Sequence, residues 1–340
     1  MSFLKNRFLI ILGILLIGIG YFVSRPPLAK VENGIYVLKG VDTGDDLIWS
    51  PDGNYLAGYE TVYPWPDCPV SPLFCIFAPE PYSEVFLIDT TKWERKSIIR
   101  TEFYDRVIYS ISWYPDSKHI AYHSDNNQVG NWGEVRLIDI TGQSDMTFME
   151  GSRYVVWSPN GTKLASIETE GVPGDWYPAI YIIDLSTNQK EQVFIAADPI
   201  SQIFSLSWSS DGKLLAFSYG KLTMENPIKF NIFIFDDETK QTTQFTDDEF
   251  EYHGAFFSPT DNLITLQRFD NQADFEYQHT TAIRDLISDC EIEIRLTQTF
   301  SSSWSPDGEK LVITGLGNTY IIDLLEFTRP KFGETGSICP

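Results

Sequence analysis

Apolar residues come in short runs along most of this chain, separated by clusters of Gly, Pro, Asn, Asp and Ser. Runs of this length that are rich in Val, Ile, Phe and Tyr are typical of β-strands rather than helices. Five of them end in aspartate, at residues 85–89, 135–139, 181–184, 232–236 and 320–323. Their apolar residues are consecutive, which indicates sheets packed on both faces. The pattern predicts an all-β protein.

One short segment recurs six times, about fifty residues apart, which is a spacing typical of propeller blades. Its copies are LIWSPDG (47–53), ISWYPDS (111–117), VVWSPNG (155–161), LSWSSDG (206–212), AFFSPTD (255–261) and SSWSPDG (302–308). Pro fixes one backbone angle, Asp accepts hydrogen bonds from nearby amides, and Gly adopts a positive φ. Each copy is therefore predicted to be a tight turn that joins an inner strand to the second strand of the same sheet.

The six copies resemble the WSPDG-type repeats of the TolB-like β-propellers, and the resemblance covers residues 34–325. It implies a six-bladed β-propeller of four-stranded blades, followed by a C-terminal tail at 326–340. It also implies that a strand at 34–40 closes the ring as the outer strand of the last blade. The fifth copy departs from the pattern because Phe257 replaces Trp. We place the third strand of that blade at 281–285.

The N-terminal region contains one strongly apolar segment, residues 8–24, which follows Lys5 and Arg7. It is slightly short for a membrane span of about 20 residues and slightly long for a signal-peptide core. A cleavage site ending at Ala29 would place Pro27 unfavourably, so we predict an uncleaved signal anchor. Residues 1–7 would then be a cytoplasmic tail, 8–24 a transmembrane helix and 25–33 a linker to an extracytoplasmic propeller. A cleaved signal peptide, and hence a secreted protein, is the alternative.

The four cysteines fit an exported protein. Cys68 and Cys75 share one Pro-rich loop, whereas Cys290 and Cys339 are far from them in sequence. No pair has the Cys-x-x-Cys spacing of a zinc site, and four cysteines in an exported chain indicate disulfides. Three connectivities are possible, of which we predict Cys68 with Cys75 and Cys290 with Cys339.

The formal net charge is −22, spread along the chain in small acidic clusters. Such a chain repels phosphate backbones and anionic lipid surfaces, so we expect no nucleic-acid partner. Cationic peptides, neutral sugars and Ca²⁺ are electrostatically easier partners. Alternatively, the acidic side chains only solvate turns and outer strands. We expect a monomer.

Aromatic residues stand in three long segments between second and third strands, which share one face of the predicted propeller. These segments span about 58–84, 124–133 and 169–178, and they contain Trp65, Trp132, Trp176 and Tyr177. Trp is costly to leave in a loop unless its ring packs on something. The four residues are therefore candidates for a platform that binds a sugar or an extended peptide. The alternative is that each ring packs on its own blade.

A second set of candidates is predicted at the mouth of the central channel on the same face. One residue stands four positions before each aromatic anchor, which gives Asp45, Tyr109, Arg153, Phe204, His253 and Phe300. An acid, a base, a phenol and an imidazole in one ring could bind a polar ligand or transfer protons. Alternatively, these side chains only cap the pore with hydrogen bonds.

The sequence carries no signature of a known active site. It has no Gly-x-Ser-x-Gly elbow, phosphate-binding loop, dinucleotide fingerprint or Asp-x-Asp-x-Asp-Gly calcium loop. Related propellers such as the oligogalacturonate lyases hold a divalent metal with several histidines, but of the four here only His253 is well placed. We predict no cofactor and no metal. The resemblance implies a non-catalytic module that binds a protein, peptide or glycan, with a carbohydrate lyase or hydrolase as the alternative.

Overall fold

The computed structural model describes residues 28–32, 34–39, 41, 46–62, 80–102, 106–125, 133–172, 175–221, 229–260, 262–270, 273, 278–296 and 298–327. Within these ranges the chain forms twenty-five β-strands and one short helical turn at 324–327. The predicted all-β class is confirmed.

The strands form six antiparallel sheets, which are the blades of a propeller. Blade 1 consists of β3 (Leu47–Trp49), β4 (Tyr55–Val62), β5 (Tyr82–Asp89) and β6 (Arg95–Glu102). Blade 2 consists of β7 (Val107–Trp113), β8 (His119–Asp125), β9 (Glu134–Asp139) and β10 (Asp145–Glu150). Blade 3 consists of β11 (Tyr154–Trp157), β12 (Lys163–Val172), β13 (Asp175–Asp184) and β14 (Gln189–Ile195). Blade 4 consists of β15 (Ser201–Trp208), β16 (Leu214–Lys221), β17 (Lys229–Asp236) and β18 (Gln241–Gln244). Blade 5 consists of β19 (Glu251–Phe257), β20 (Leu263–Phe269), β21 (His279–Asp285) and β22 (Glu291–Ile294). The prediction of a third strand at 281–285 in blade 5 is confirmed.

Blade 6 combines both ends of the described chain. Its strands are β23 (Thr299–Trp304), β24 (Lys310–Gly315) and β25 (Asn318–Asp323), followed by the N-terminal β2 (Ile35–Leu38) and β1 (Leu28–Glu32). Strand β2 pairs with β25 as the predicted closing strand. Strand β1 was not predicted, since it lies in the range 25–33 that was predicted to be a linker. It pairs with β2 and makes this sheet five-stranded instead of four-stranded. The Tyr36 hydroxyl donates a hydrogen bond to Glu326 at 3.0 Å, which ties the closing strand to the helical turn.

The recurring turn is held by the same hydrogen bonds in several blades. In blade 1 the Ser50 hydroxyl donates to the Asp52 carboxylate at 2.6 Å, and the Ser50 oxygen accepts from the amide of Tyr55 at 3.0 Å. Blade 3 uses Asn160 in place of Asp, with Ser158 at 2.8 Å from its carbonyl oxygen. Since inner strands end at these turns, all of the turns lie on one face of the propeller.

The core consists of apolar layers between neighbouring blades, so strand residues are buried on both faces as predicted. The aromatic anchors also join blades by hydrogen bonds. The indole of Trp113 donates to the carbonyl of Ile48 in blade 1 at 3.0 Å, and the indole of Trp304 donates to the carbonyl of Phe256 in blade 5 at 3.0 Å. The anchors therefore set the contact between adjacent inner strands.

Some segments predicted as loops are strands. Residues 169–172 and 175–178 belong to the paired strands β12 and β13, in which Val172 still pairs with Asp175. Strand β4 continues to Val62, opposite Tyr82. The prediction was wrong for 169–178 because Gly and Pro suggested a loop, whereas the hairpin ladder accommodates Gly171 and Pro178.

The N-terminal apolar segment 8–24 lies outside the described residues. No helix in the part of the chain that the structure covers is long and apolar enough to cross a membrane. Cys68, Cys75 and Cys339 also lie outside that part. Cys290 is disulfide-bonded, and the proposed pairing with Cys339 stays a prediction.

Candidate functional site

A cavity of about 600 Å³ opens at the mouth of the channel, on the face opposite the recurring turns. Five of the six predicted mouth residues line it: Tyr109, Arg153, Phe204, His253 and Phe300. The sixth, Asp45, lies outside the described residues. Its neighbour Asp46 lines the cavity instead.

Bulges at the mouth ends of four inner strands shape this cavity. In each of blades 2, 5 and 6 the pairing register shifts around one extra residue. This residue is Tyr109 in blade 2, His253 in blade 5 and Phe300 in blade 6. In blade 4 the extra residue is Ser205, which has a positive φ of 51°. A bulge leaves its extra residue out of the regular pairing and redirects its side chain.

One side of the mouth is aromatic and comes from blades 4 to 6. The ring of His253 lies 5.5 Å from that of Phe230, 6.3 Å from that of Phe269 and 6.2 Å from that of His279. Phe300 lies 5.0 Å from His279, and Phe204 lies 5.2 Å from Phe230. Six rings from three blades thus form one continuous wall, of which Phe204, His253 and Phe300 line the cavity.

Burial favours the uncharged form of both imidazoles in this wall. Burial lowers the pKa of His253 to about 4, with a smaller contribution from repulsion by His279. Burial also lowers the pKa of His279. The wall therefore offers neutral hydrogen-bonding groups among apolar rings, and it carries no positive charge of its own.

The opposite side of the mouth is polar and comes from blades 2 and 3. It contains Tyr109, His123, Asp125, Arg153 and Glu168. Burial lowers the pKa of the Arg153 guanidinium, and the negative charge of Asp125 opposes that shift. The carboxylate of Glu168 forms an ion pair with Lys190 at 2.5 Å. Most of the charge on this side is therefore balanced within the protein.

Asp46 lies deeper, at the level where the mouth cavity meets a second one of about 370 Å³ that is lined by the aromatic anchors. Tyr154, Phe256 and Ser301 line both cavities with it. Burial raises the pKa of the Asp46 carboxyl, while a hydrogen bond with the Ser301 side chain opposes that rise. The two cavities thus form one channel with a carboxyl group at its middle.

The predicted aromatic platform is only partly within the described residues. Trp65 and Trp132 lie outside them, whereas Trp176 and Tyr177 are half-buried in β13 near the tip of the long hairpin. Pro178 lines the mouth cavity, and alternation along the strand places Trp176 on the same sheet face as Pro178. Tyr177 is on the other face, where the neighbouring Asp175 carboxylate raises its pKa. The hairpin therefore brings Trp176 toward the mouth and separates it from Tyr177.

Several residues were missed in the sequence, namely Asp46, His123, Asp125 and Glu168, which line the mouth, and His279, which packs against His253 and Phe300. Asp125 and Glu168 come from second strands and His279 from a third strand, so counting back from the aromatic anchor does not find them. Their polar positions in otherwise apolar strands are a signal that could have indicated them. Among the described residues, no group of three or more His, Cys, Asp or Glu side chains could hold a metal ion.

Comparisons with known proteins identify the fold. No family model matches the chain. In an alignment of 211 positions that covers 56% of the chain, the sequence is 26% identical to Protein HIR2 of Debaryomyces hansenii. That match covers 19% of Protein HIR2, so the chain spans about a fifth of the length of this curated relative.

Solved propellers resemble the structure at low sequence identity. TolB from Acinetobacter baumannii has a TM-score of 0.53 and 20% identity, over 71% of this chain and 59% of that one, which is less than two thirds of its length. The protein assigned as TolB in Agrobacterium tumefaciens has a TM-score of 0.56 and 15% identity, over 82% and 89%. An oligogalacturonate lyase in complex with manganese has a TM-score of 0.56 and 12% identity, over 87% and 96%. At such low sequence identities, these comparisons show similarity of fold alone. The chain has a TolB-like six-bladed β-propeller fold.

Proposed function

We propose that this protein is a non-catalytic binding module that takes up a protein segment or peptide at the channel mouth. The observation that carries the proposal is the exposure of three aromatic side chains around one cavity. Tyr109, Phe204 and Phe300 are 49%, 41% and 39% exposed, whereas large apolar side chains are mostly buried in folded proteins. Exposed aromatic residues that surround a concave site are typical of binding surfaces.

A protein or peptide ligand fits the mouth better than a sugar alone, because one wall is apolar and the other is polar. Main-chain groups and apolar side chains of an extended segment could contact both walls at once. The TolB-like fold supports a protein partner by analogy only. A glycan stacked on Trp176, or on Trp65 and Trp132, belongs to the same proposal as a second ligand class.

The proposal includes an extracytoplasmic location, with residues 8–24 as the membrane anchor. It is supported by the apolar sequence of that segment and by the disulfide at Cys290, since disulfides persist in oxidising compartments. Protease added to intact cells should degrade the propeller while the membrane is sealed. Protection until lysis would contradict this location.

Binding can be tested with a phage-displayed heptapeptide library and a glycan array, both probed with the full-length chain in detergent micelles. We expect peptides with micromolar affinity to be selected. The double variant Phe204→Ala, Phe300→Ala should weaken their binding at least about tenfold, because it removes two rings worth roughly 1 kcal/mol or more each.

The matched control is Ile287→Ala, which removes an exposed apolar side chain on the opposite face. It should leave affinity unchanged. Equal binding by the double variant and the wild type would show that the mouth is not the binding site.

Catalysis on a carbohydrate is the second hypothesis, and the mouth disfavours it on one point. A histidine with a pKa of about 4 is a weak general base near neutral pH, because effective bases titrate close to the working pH. Turnover of a polyuronate or other glycan by the wild type, lost in His253→Ala, would favour the enzyme over the binding module.

A further inference from the structure

Among the charged residues that line the two cavities, Asp46 is the carboxyl group for which the described residues provide no cationic partner. Arg153 faces the charge of Asp125, and Glu168 is paired with Lys190. For Asp46, by contrast, the described residues provide a hydrogen bond with Ser301 and no Lys or Arg within ion-pair distance. A carboxylate withdrawn from water is costly unless a cation or several donors compensate it. A positively charged ligand group would therefore be stabilised most strongly beside the Asp46 carboxylate.

The surroundings of Asp46 suit the stem of a long side chain. Tyr154 and Phe256 stand beside it at the junction of the two cavities. Lys and Arg side chains pack their methylene groups on apolar surface while the charged end reaches a polar group. The channel thus provides an apolar passage with a carboxyl group at its end.

The entrance to this passage also attracts cations. The exposed faces of Tyr109, Phe204 and Phe300 surround it, and an aromatic face attracts a cation placed over it. The imidazoles of His253 and His279 carry no charge near pH 7 to oppose its entry. The chain as a whole has a net charge of −22, which raises the local concentration of positive ligands.

From this arrangement we infer that the channel binds a basic peptide, whose Lys or Arg side chain passes between Tyr109, Phe204 and Phe300 and places its charged end at Asp46. The inference rests on the proposed function, since it specifies the ligand of the same mouth. It adds a residue and a charge requirement that the proposed function does not contain.

The test uses the full-length chain and three fluorescein-labelled pentapeptides measured by fluorescence anisotropy. Their sequences are Gly-Phe-Lys-Phe-Gly, the same peptide with Nε-acetyl-lysine, and the same peptide with norleucine. Acetylation and norleucine keep the stem and remove the charge. We expect the lysine peptide to bind at least about tenfold more tightly than both, because hydrogen bonds between charged groups are stronger than those between neutral groups.

Asp46→Asn keeps the size and the hydrogen-bonding capacity of the side chain and removes its charge. It should abolish the tenfold preference for lysine and leave the affinity for the acetylated peptide unchanged. Glu309→Gln removes one negative charge from an exposed side chain at the turn on the opposite face and should leave the preference intact. If Asp46→Asn does not fold, the comparison of lysine with acetyl-lysine on the wild type still decides.

The outcomes separate this inference from the proposed function. Binding that depends on Phe204 and Phe300 but is equal for lysine and acetyl-lysine overturns the inference and keeps the binding module. If free cadaverine binds tightly and every peptide binds weakly, the ligand of the channel is a small amine, and the inference of a basic peptide is overturned. A preference for lysine that survives in Asp46→Asn overturns the assignment of Asp46.

Discussion

Gly34 is a single residue on which the closure of the ring depends. It has a positive φ of 73° and lies where a Cβ would come within 2.4 Å of the backbone nitrogen of Phe327 and 2.7 Å of the carbonyl oxygen of Asp323. Its own carbonyl accepts a hydrogen bond from the amide of Asp323 at 2.7 Å. Since these contacts are with backbone atoms, no side-chain rotation can make room for a methyl group.

Gly34→Ala should therefore destabilise the protein by at least about 2 kcal/mol more than Gly317→Ala. Gly317 is the matched control because it also has a positive φ, 70°, but nothing lies within 4 Å of its would-be Cβ. Both variants share the left-handed backbone penalty of roughly 1–2 kcal/mol, and only Gly34 adds the clash. Chemical unfolding of the two variants measures the difference, and equal stabilities would mean that the closing strand is not held at Gly34.

At the residue scale, the sequence predicted the site in part. Counting four positions back from the anchors identified Tyr109, Arg153, Phe204, His253 and Phe300, because each inner strand runs from the mouth to its anchor. The bulges that redirect Tyr109, His253 and Phe300 left no sequence signal, since a bulge depends on the pairing partner as well as on the strand. In blade 1, counting four positions back gave Asp45 instead of Asp46. Strand β3 is short and begins only at Leu47, so both positions precede the regular strand.

Hydrogen bonds from the aromatic anchors connect neighbouring elements in some blades and not in others. Trp113 donates to Ile48 in the preceding blade, whereas the indole nitrogen of Trp157 is buried and has no hydrogen-bond partner among the described residues. The two side chains are 7% and 6% exposed. Trp157 also contacts the rings of Tyr114 at 4.8 Å and Phe148 at 5.2 Å, and a phenyl ring in its place can keep these contacts.

Trp113→Phe should cost about 1 kcal/mol more stability than Trp157→Phe, because it leaves the Ile48 carbonyl without its donor. Both variants lose the same indole area, so that contribution cancels in the comparison. Equilibrium unfolding in urea gives the two free energies. A larger loss for Trp157→Phe would contradict the role assigned to the bond between blades.

The elements themselves were predictable where local chemistry determines them. Each tight turn and each strand ending in Asp was identified because Pro, Asp and Gly act within a few residues. Strand β1 and the extension of β12 and β13 were not, because their pairing comes from the neighbouring strand. Lys30 and Glu32 gave no strand pattern, and Gly171 with Pro178 suggested a loop.

Across the whole molecule, lowered carboxyl pKa values are concentrated on the face of the recurring turns. Hydrogen bonds from Ser186 and the amide of Thr187 lower the pKa of Asp184 to about 2. The Ser209 hydroxyl likewise lowers the pKa of Asp211. The pKa values of Asp52 and Asp307 are also lowered, by bonds from Ser50 and Ser305 that outweigh burial. An acid whose pKa falls on folding stabilises the fold above its unfolded pKa and loses that contribution as pH falls through the folded value.

We therefore expect the melting temperature to fall between about pH 4 and pH 2, the window between the ordinary and lowered pKa values. The triple variant Asp52→Asn, Asp211→Asn, Asp307→Asn should be less sensitive to acid, since Asn160 already fills the same turn position without titrating. The difference in melting temperature between wild type and variant should shrink as pH falls from 5 to about 2. A constant difference over that range would assign acid lability to other groups.

The shared sixth blade also determines the order in which the molecule can fold. Tyr36 and Glu326 are 290 positions apart in the chain, and contacts of such separation form slowly because a long loop must first be closed. Strands β1 and β2 can pair with each other early, but β2 gains its partner β25 only when the last blade exists. We expect refolding to show a slow final phase that reports closure, which Gly34→Ala should slow and Gly317→Ala should leave unchanged.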